Sequence, residues 1–168
     1  FAFIFDLAVE EQKGQIVKNV FLNDQVPQIT TPYFKFYEMD ALCRMGYRKE
    51  VLDKVKEYWG GMLERGAVTF WEEYDPNVPK EEQYDMYGDK FGKSLCHAWS
   101  ASPIYLLAKY FVGLRIKDPL TGAYEIEPHL EEFDKLRCVL PVRDKQVHIQ
   151  WDRENGLAVS AEEYVENL

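Results

Sequence analysis

Two carboxylates, Glu72 and Glu73, directly follow an indole in the run Thr69-Phe70-Trp71-Glu72-Glu73-Tyr74-Asp75-Pro76, just where a helical pattern breaks at Gly66. A carboxylate so placed can take a proton from water or stabilise a developing oxocarbenium ion, and a ring beside it can carry the apolar face of a pyranose. The plainer alternative is a packed ring flanked by solvated charges, and Trp71 is open to both readings. His97, in Ser94-Leu95-Cys96-His97-Ala98-Trp99-Ser100, is the second candidate; it either reaches a ligand or satisfies backbone groups at a helix start. His129 and His148 have neither a carboxylate nor another His at ligand spacing, so no metal site is expected and no role is assigned to them. The chain contains no Gly-rich phosphate loop, Ser-His-Asp order or dinucleotide fingerprint, and no cofactor is implied.

The elements that must position these residues are legible from hydrophobic spacing. Ile16, Val17, Val20 and Phe21 recur at helical intervals, predicting an amphipathic helix from Glu10 to about Asn23. Thr31 as N-cap and Pro32 at the first helical position open the next helix, which runs through Phe34, Tyr37, Ala41 and Leu42 to a stop at Gly46. Val51, Leu52, Val55, Tyr58, Trp59, Met62 and Leu63 form a second stripe ending at Gly66, so Thr31 to Arg65 reads as a helical hairpin. The charged, Pro- and Gly-containing stretch from Asp75 to Lys93 reads as a structureless loop at a site's rim. Trp99 to Val112 reads as a largely buried helix with Pro103 in its first turn and Gly113 at its end. Beyond it the period changes to two: Tyr124, Ile126 and Pro128, then Leu136, Cys138 and Leu140, then Val147, Ile149 and Trp151 alternate with polar neighbours. Helices followed by antiparallel strands make an α+β chain in two parts, with a boundary at Lys117-Asp118-Pro119.

With 168 residues, 46% of them apolar, the chain can bury a sizeable core. A net charge of −9 disfavours nucleic acid or an anionic membrane as partner and suits a neutral glycan. Cys43, Cys96 and Cys138 are odd in number and widely spaced, which reads as free thiols. The apolar opening Phe1 to Ala8 lacks a basic leader, is too short to span a bilayer and reads as a helix end, as expected of part of a longer polypeptide.

In their order, Thr31-Pro32-Tyr33, Tyr58-Trp59-Gly60-Gly61-Met62, Gly66 to Trp71-Glu72 and Ser94 to His97 resemble the later part of the catalytic domain of bacterial α-L-rhamnosidases (glycoside hydrolase family 78). The resemblance covers roughly Phe1 to Trp151. It implies helical hairpins of an (α/α)6 toroid in residues 1–116, followed by the strands of a partial C-terminal β-sandwich in residues 117–168. It also implies hydrolysis of terminal α-L-rhamnose with inversion, which needs one carboxylic acid and one carboxylate base. Glu72 holds the position of the general base in the family's Thr-x-Trp-Glu motif. His97 holds that of the sugar-contacting imidazole in its Ser-x-Asn-His motif, with Cys96 in place of the usual Asn, and Trp71 becomes a candidate wall of the sugar site. Glu73 falls at a variable position. The general acid comes from an upstream acidic cluster that this chain does not match, so the chain by itself is expected to be catalytically silent. The partner implied is a rhamnose-containing glycoside or polysaccharide. The alternatives are a non-catalytic carbohydrate-binding or helical-repeat module, and a toroidal glycosidase of other sugar specificity. Oligomeric state, aglycone and localisation are left open.

Overall fold

Helix α1, Glu10–Ile16, opens where the Gln12 side chain reaches back to accept the Val9 N–H at 3.1 Å, and it widens into a π-helical turn over Val17–Phe21. This computed structural model describes residues 1–163, which form two compact units, Phe1–Tyr105 and residues 106 onward. The stretch before α1 forms hydrogen-bonded turns, not a helix, and Phe3 packs on Phe21 with ring centroids 5.8 Å apart.

Helix α2, Pro32–Arg44, and helix α3, Arg48–Glu64, form the expected hairpin, with Thr31 and Pro32 at the anticipated start. Both helices stop by the same device. Gly46 and Gly66 adopt φ of +86° and +95°, a region that favours glycine. Tyr47 and Ala67 then donate back to the carbonyls of Leu42 and Met62, and Gly46 and Gly66 to those of Cys43 and Leu63, which satisfies the orphan carbonyls of each last turn. Met39, Leu42, Val51, Leu52, Trp59 and Met62 are buried. Leu63, expected in this stripe, is 67% exposed: it follows Met62 by one residue, about 100° around the helix, and so leaves the buried face.

The expected buried helix over Trp99 to Val112 is instead three short pieces. A 3-10 turn covers Ala98–Ser100, helix α4 covers Ser102–Leu106 with Pro103 in its first turn, and a π-helical stretch covers Leu107–Val112. Ile104 is 62% exposed, because the changing pitch breaks the single face that a regular helix would present. Gly113 ends the run as expected, with φ +74°.

In the second unit, strand β1, Leu114–Asp118, pairs antiparallel with β2, Ala123–Ile126, through a bulge between Ile116 and Asp118. Strands β3, Lys135–Val142, β4, Lys145–Asp152, and β5, Gly156–Glu163, form an antiparallel sheet in that order. The pleat puts Leu136, Cys138 and Leu140 opposite Trp151, Ile149 and Val147, and Leu136, Cys138, Leu140, Val147 and Ile149 share one core with Val112, Leu114, Tyr124 and Ile126. The alternation identified β2, β3 and β4. Pro128 lies outside any strand, and β1 and β5 were not anticipated: β1 is three-fifths charged, and β5 is an edge strand with most of its residues exposed. Among the described residues, Cys43, Cys96 and Cys138 form no disulfide.

Candidate active site around Glu72

Helix α3 anchors both arms of the site. Tyr58 accepts the Tyr74 N–H at 3.0 Å and donates to the Thr30 carbonyl, while the Trp59 indole N–H donates to the Ser100 carbonyl at 2.8 Å. Two adjacent residues of one helix thus fasten the segment after Gly66 and the segment around Ser94 to Ser100. Burial pushes the Tyr58 phenol well above its ordinary range, so it stays a neutral donor and acceptor.

The two motifs singled out by their residue types lie side by side. Glu72 N–H donates to the Ser94 carbonyl at 2.9 Å, His97 N–H donates to the Phe70 carbonyl at 2.7 Å, and the Thr69 hydroxyl donates to the Leu95 carbonyl. Thr69 is therefore a fastener of the two runs. Trp99 adds a further tie, its indole N–H donating to the Glu72 carbonyl at 3.1 Å.

The Glu72 side chain is 6% exposed, and each carboxylate oxygen has its own donor. Oε1 accepts from the Tyr87 hydroxyl at 2.7 Å and Oε2 from the Ser94 N–H at 3.0 Å. These bonds, the Ser94 amide foremost and then the Tyr87 phenol, hold the Glu72 carboxyl below the usual glutamate range; His97 and Lys93 add smaller charge effects, against an opposing desolvation. The carboxylate is thus ionised at neutral pH, the state that a base needs and an acid cannot use. A carboxylate offers about four lone-pair sites, so two donors leave places for a water. Glu73, its sequence neighbour, is half-buried.

Trp71 is 3% exposed and meets Tyr84 edge-on at 5.6 Å, which favours the packed-ring reading over the sugar wall. His97 occupies the N-cap position of the 3-10 turn but makes no side-chain capping bond. Its ring instead lies 4.1 Å from the Trp99 centroid, and Trp99 meets Tyr33 at 5.7 Å. Tyr33, Phe34 and Trp99 are each exposed, so an aromatic shelf runs from the start of α2 to the imidazole.

The stretch from Asp75 to Lys93 is not structureless, as its composition suggested. Fully buried Gln83 donates its amide to the Asp75 and Val78 carbonyls at 2.8 and 2.7 Å, and Met86 and Asp89 exchange backbone hydrogen bonds at 2.9 Å. Tyr87, at the tip of this turn, is the contact of Glu72 that sequence reasoning missed. It stands 15 residues from Glu72, and only the turn brings it there; the loop's placement at a site rim was the available signal.

A cavity of about 740 Å³ lies elsewhere in the helical unit, lined by Lys35, Lys54, Glu57, Tyr58 and Tyr74 among others, and neither Glu72, Trp71 nor His97 borders it. Glu72 is singled out by its donors, not by concavity.

No protein-family model matches the chain, and no curated protein matches it. Among solved structures, the chain is similar to a rhamnosidase from Klebsiella oxytoca with rhamnose bound, at 33% identity and a TM-score of 0.52. The match covers 62% of this chain and 20% of that one, so the chain spans about a fifth of the rhamnosidase's length. The α+β arrangement of helices followed by antiparallel sheets is thus a rhamnosidase-like fold.

Proposed function

We propose that this chain is the base-bearing part of an inverting α-L-rhamnosidase, with residues 1–116 supplying the end of an (α/α)6 toroid and residues 117–168 the start of a β-sandwich. Glu72 is the general base: it positions a water on the ring face opposite the leaving group and takes its proton. A carboxylic acid from outside this chain protonates the glycosidic oxygen, as inversion requires. His97 binds the sugar, with Trp99 and Tyr33 extending an aromatic surface for its apolar face. Trp71 backs Glu72 from the core side.

The observation that carries this reading is the Glu72 carboxylate: one donor on each oxygen, ionised at neutral pH, and pinned through Ser94 to the run that ends in His97. Likeness to a rhamnosidase solved with rhamnose bound supports rhamnose as the ligand class. The test is Glu72→Gln in the complete protein, assayed on an aryl α-L-rhamnoside. Turnover should fall by roughly 10²–10⁴-fold with the fold intact, the usual contribution of general-base catalysis. Turnover near the unsubstituted rate would sink the assignment.

A further inference from the structure

Tyr87 combines three properties. Its side chain is 78% exposed, so burial does not hold the ring in place. Its backbone sits at φ +55°, the left-handed region that a bulky residue enters only when something offsets the strain. Its hydroxyl nonetheless makes a 2.7 Å bond to Glu72 Oε1.

The turn that carries it is braced on both sides. Lys93 N–H donates to the Tyr84 carbonyl at 3.1 Å, and Gly92 N–H to the Asp89 carbonyl at 3.1 Å. The Asp89 carboxylate also accepts the Phe91 N–H at 2.9 Å. Below, Gln83 ties the start of the loop to Asp75 and Val78. An exposed phenol on a stiff, strained turn, aimed at a nearly buried carboxylate, is an arrangement that packing alone does not produce.

We propose that Tyr87 is the positioning residue of the Glu72 carboxylate, and that the turn from Tyr84 to Lys93 exists to deliver it. This rests on Glu72 being the base. With Ser94 N–H on Oε2 and the phenol on Oε1, the carboxylate plane is fixed by two donors, so the lone pair left free on each oxygen has a fixed direction. A water bound there is held for attack instead of sampling all orientations. Tyr87 moves no proton in the reaction: the neighbouring carboxylate raises the energy of its phenolate, so it remains the donor throughout.

The test is Tyr87→Phe in the complete protein, beside Glu72→Gln. The pH profile of kcat/KM on an aryl α-L-rhamnoside is measured, together with the titration of the Glu72 carboxyl by ¹³C NMR, whose resonance is identified by its loss in Glu72→Gln. Loss of the phenol should displace both the acidic limb of the profile and the Glu72 titration to higher pH. It should also lower kcat roughly tenfold with little change in KM, the size expected for one hydrogen bond to a charged group. An unmoved limb and titration would overturn the proposal, even if kcat falls, because a merely structural tyrosine would give that result. If Glu72→Gln is fully active, the base assignment fails on its own, and an unmoved or displaced NMR titration in Tyr87→Phe still decides whether the phenol governs the carboxylate.

Discussion

Neighbouring glycines on α3 should respond to the same substitution with opposite signs. An alanine Cβ at Gly61 would lie 2.5 Å from Tyr74 Oη and 2.6 Å from two of its ring carbons, whereas at Gly60 nothing lies within 4 Å. The Tyr74 ring cannot easily swing clear, since it is buried, packs edge-on against Tyr58 at 5.6 Å, and is held through its own N–H by the Tyr58 hydroxyl at 3.0 Å. Overpacking of this kind costs about 1–3 kcal/mol. Replacing a helical glycine by alanine returns roughly 0.5–1 kcal/mol of backbone entropy and propensity. Gly61→Ala should therefore destabilise the helical unit by up to about 2.5 kcal/mol, while Gly60→Ala stabilises it by about 0.5–1 kcal/mol. The gap should appear in calorimetry as melting temperatures several degrees apart, at about 4 °C per kcal/mol for a unit of this size. Urea midpoints should separate in the same order with unchanged m. Because Tyr74 follows Glu72 by two residues, Gly61→Ala should also lower turnover in the complete protein more than Gly60→Ala does. Equal stability of the two variants would refute the claim that Gly61 is small so that α3 can approach Tyr74.

Glu72 should also make folding acid-sensitive. Its folded pKa lies below the ordinary value of 4.5, so its stabilisation is present above that value and is lost as pH falls through the lowered one. Asp6, Asp53, Asp118 and Asp152 shift in the same direction, so the quantity to measure is the difference between unsubstituted protein and Glu72→Gln in melting temperature against pH; a difference that does not narrow on acidification would refute it. His97→Ala should weaken rhamnose binding measured by calorimetry in the complete protein, because the ring lies tilted against Trp99 on the aromatic shelf and makes no capping bond; unchanged affinity would remove His97 from the site. Iodoacetamide should modify exposed Cys96 first and buried Cys43 last. Cys138 should lag behind Cys96 because burial raises its thiol above the ordinary range; peptide mass spectrometry reads the order, and faster labelling of Cys43 than Cys96 would contradict the burial described.

Local chemistry made much of this legible in the sequence. Pro32, Gly46 and Gly66 bound the helical hairpin because proline and glycine constrain the backbone by themselves, whatever surrounds them. The alternation through β3 and β4 reads directly because a strand sends successive side chains to opposite faces. The carboxylate after Trp71 and the histidine at 97 were visible as residue types capable of chemistry. What spacing could not reveal was which face Leu63 would present, or that the run to Val112 would change pitch twice, because one-residue differences in a broad apolar stretch are settled by the packing partner. β5 was invisible for the reverse reason: an exposed edge strand leaves little apolar pattern to read.

By itself, then, the sequence determined where the two helices of the hairpin start and stop, that β2, β3 and β4 carry a buried face, and which carboxylate stands beside an indole. Tertiary structure alone decided that the Glu72 and His97 runs lie side by side, that Ser94 and Tyr87 each take one oxygen of the carboxylate, and that Trp71 faces the core. The physical reason is range. Backbone preferences and side-chain periodicity act within a few residues, so they are written locally. The bonds from Glu72 to Tyr87 and to Ser94 span 15 and 22 residues, and the segments that make them are held in place by α3 through Tyr58 and Trp59.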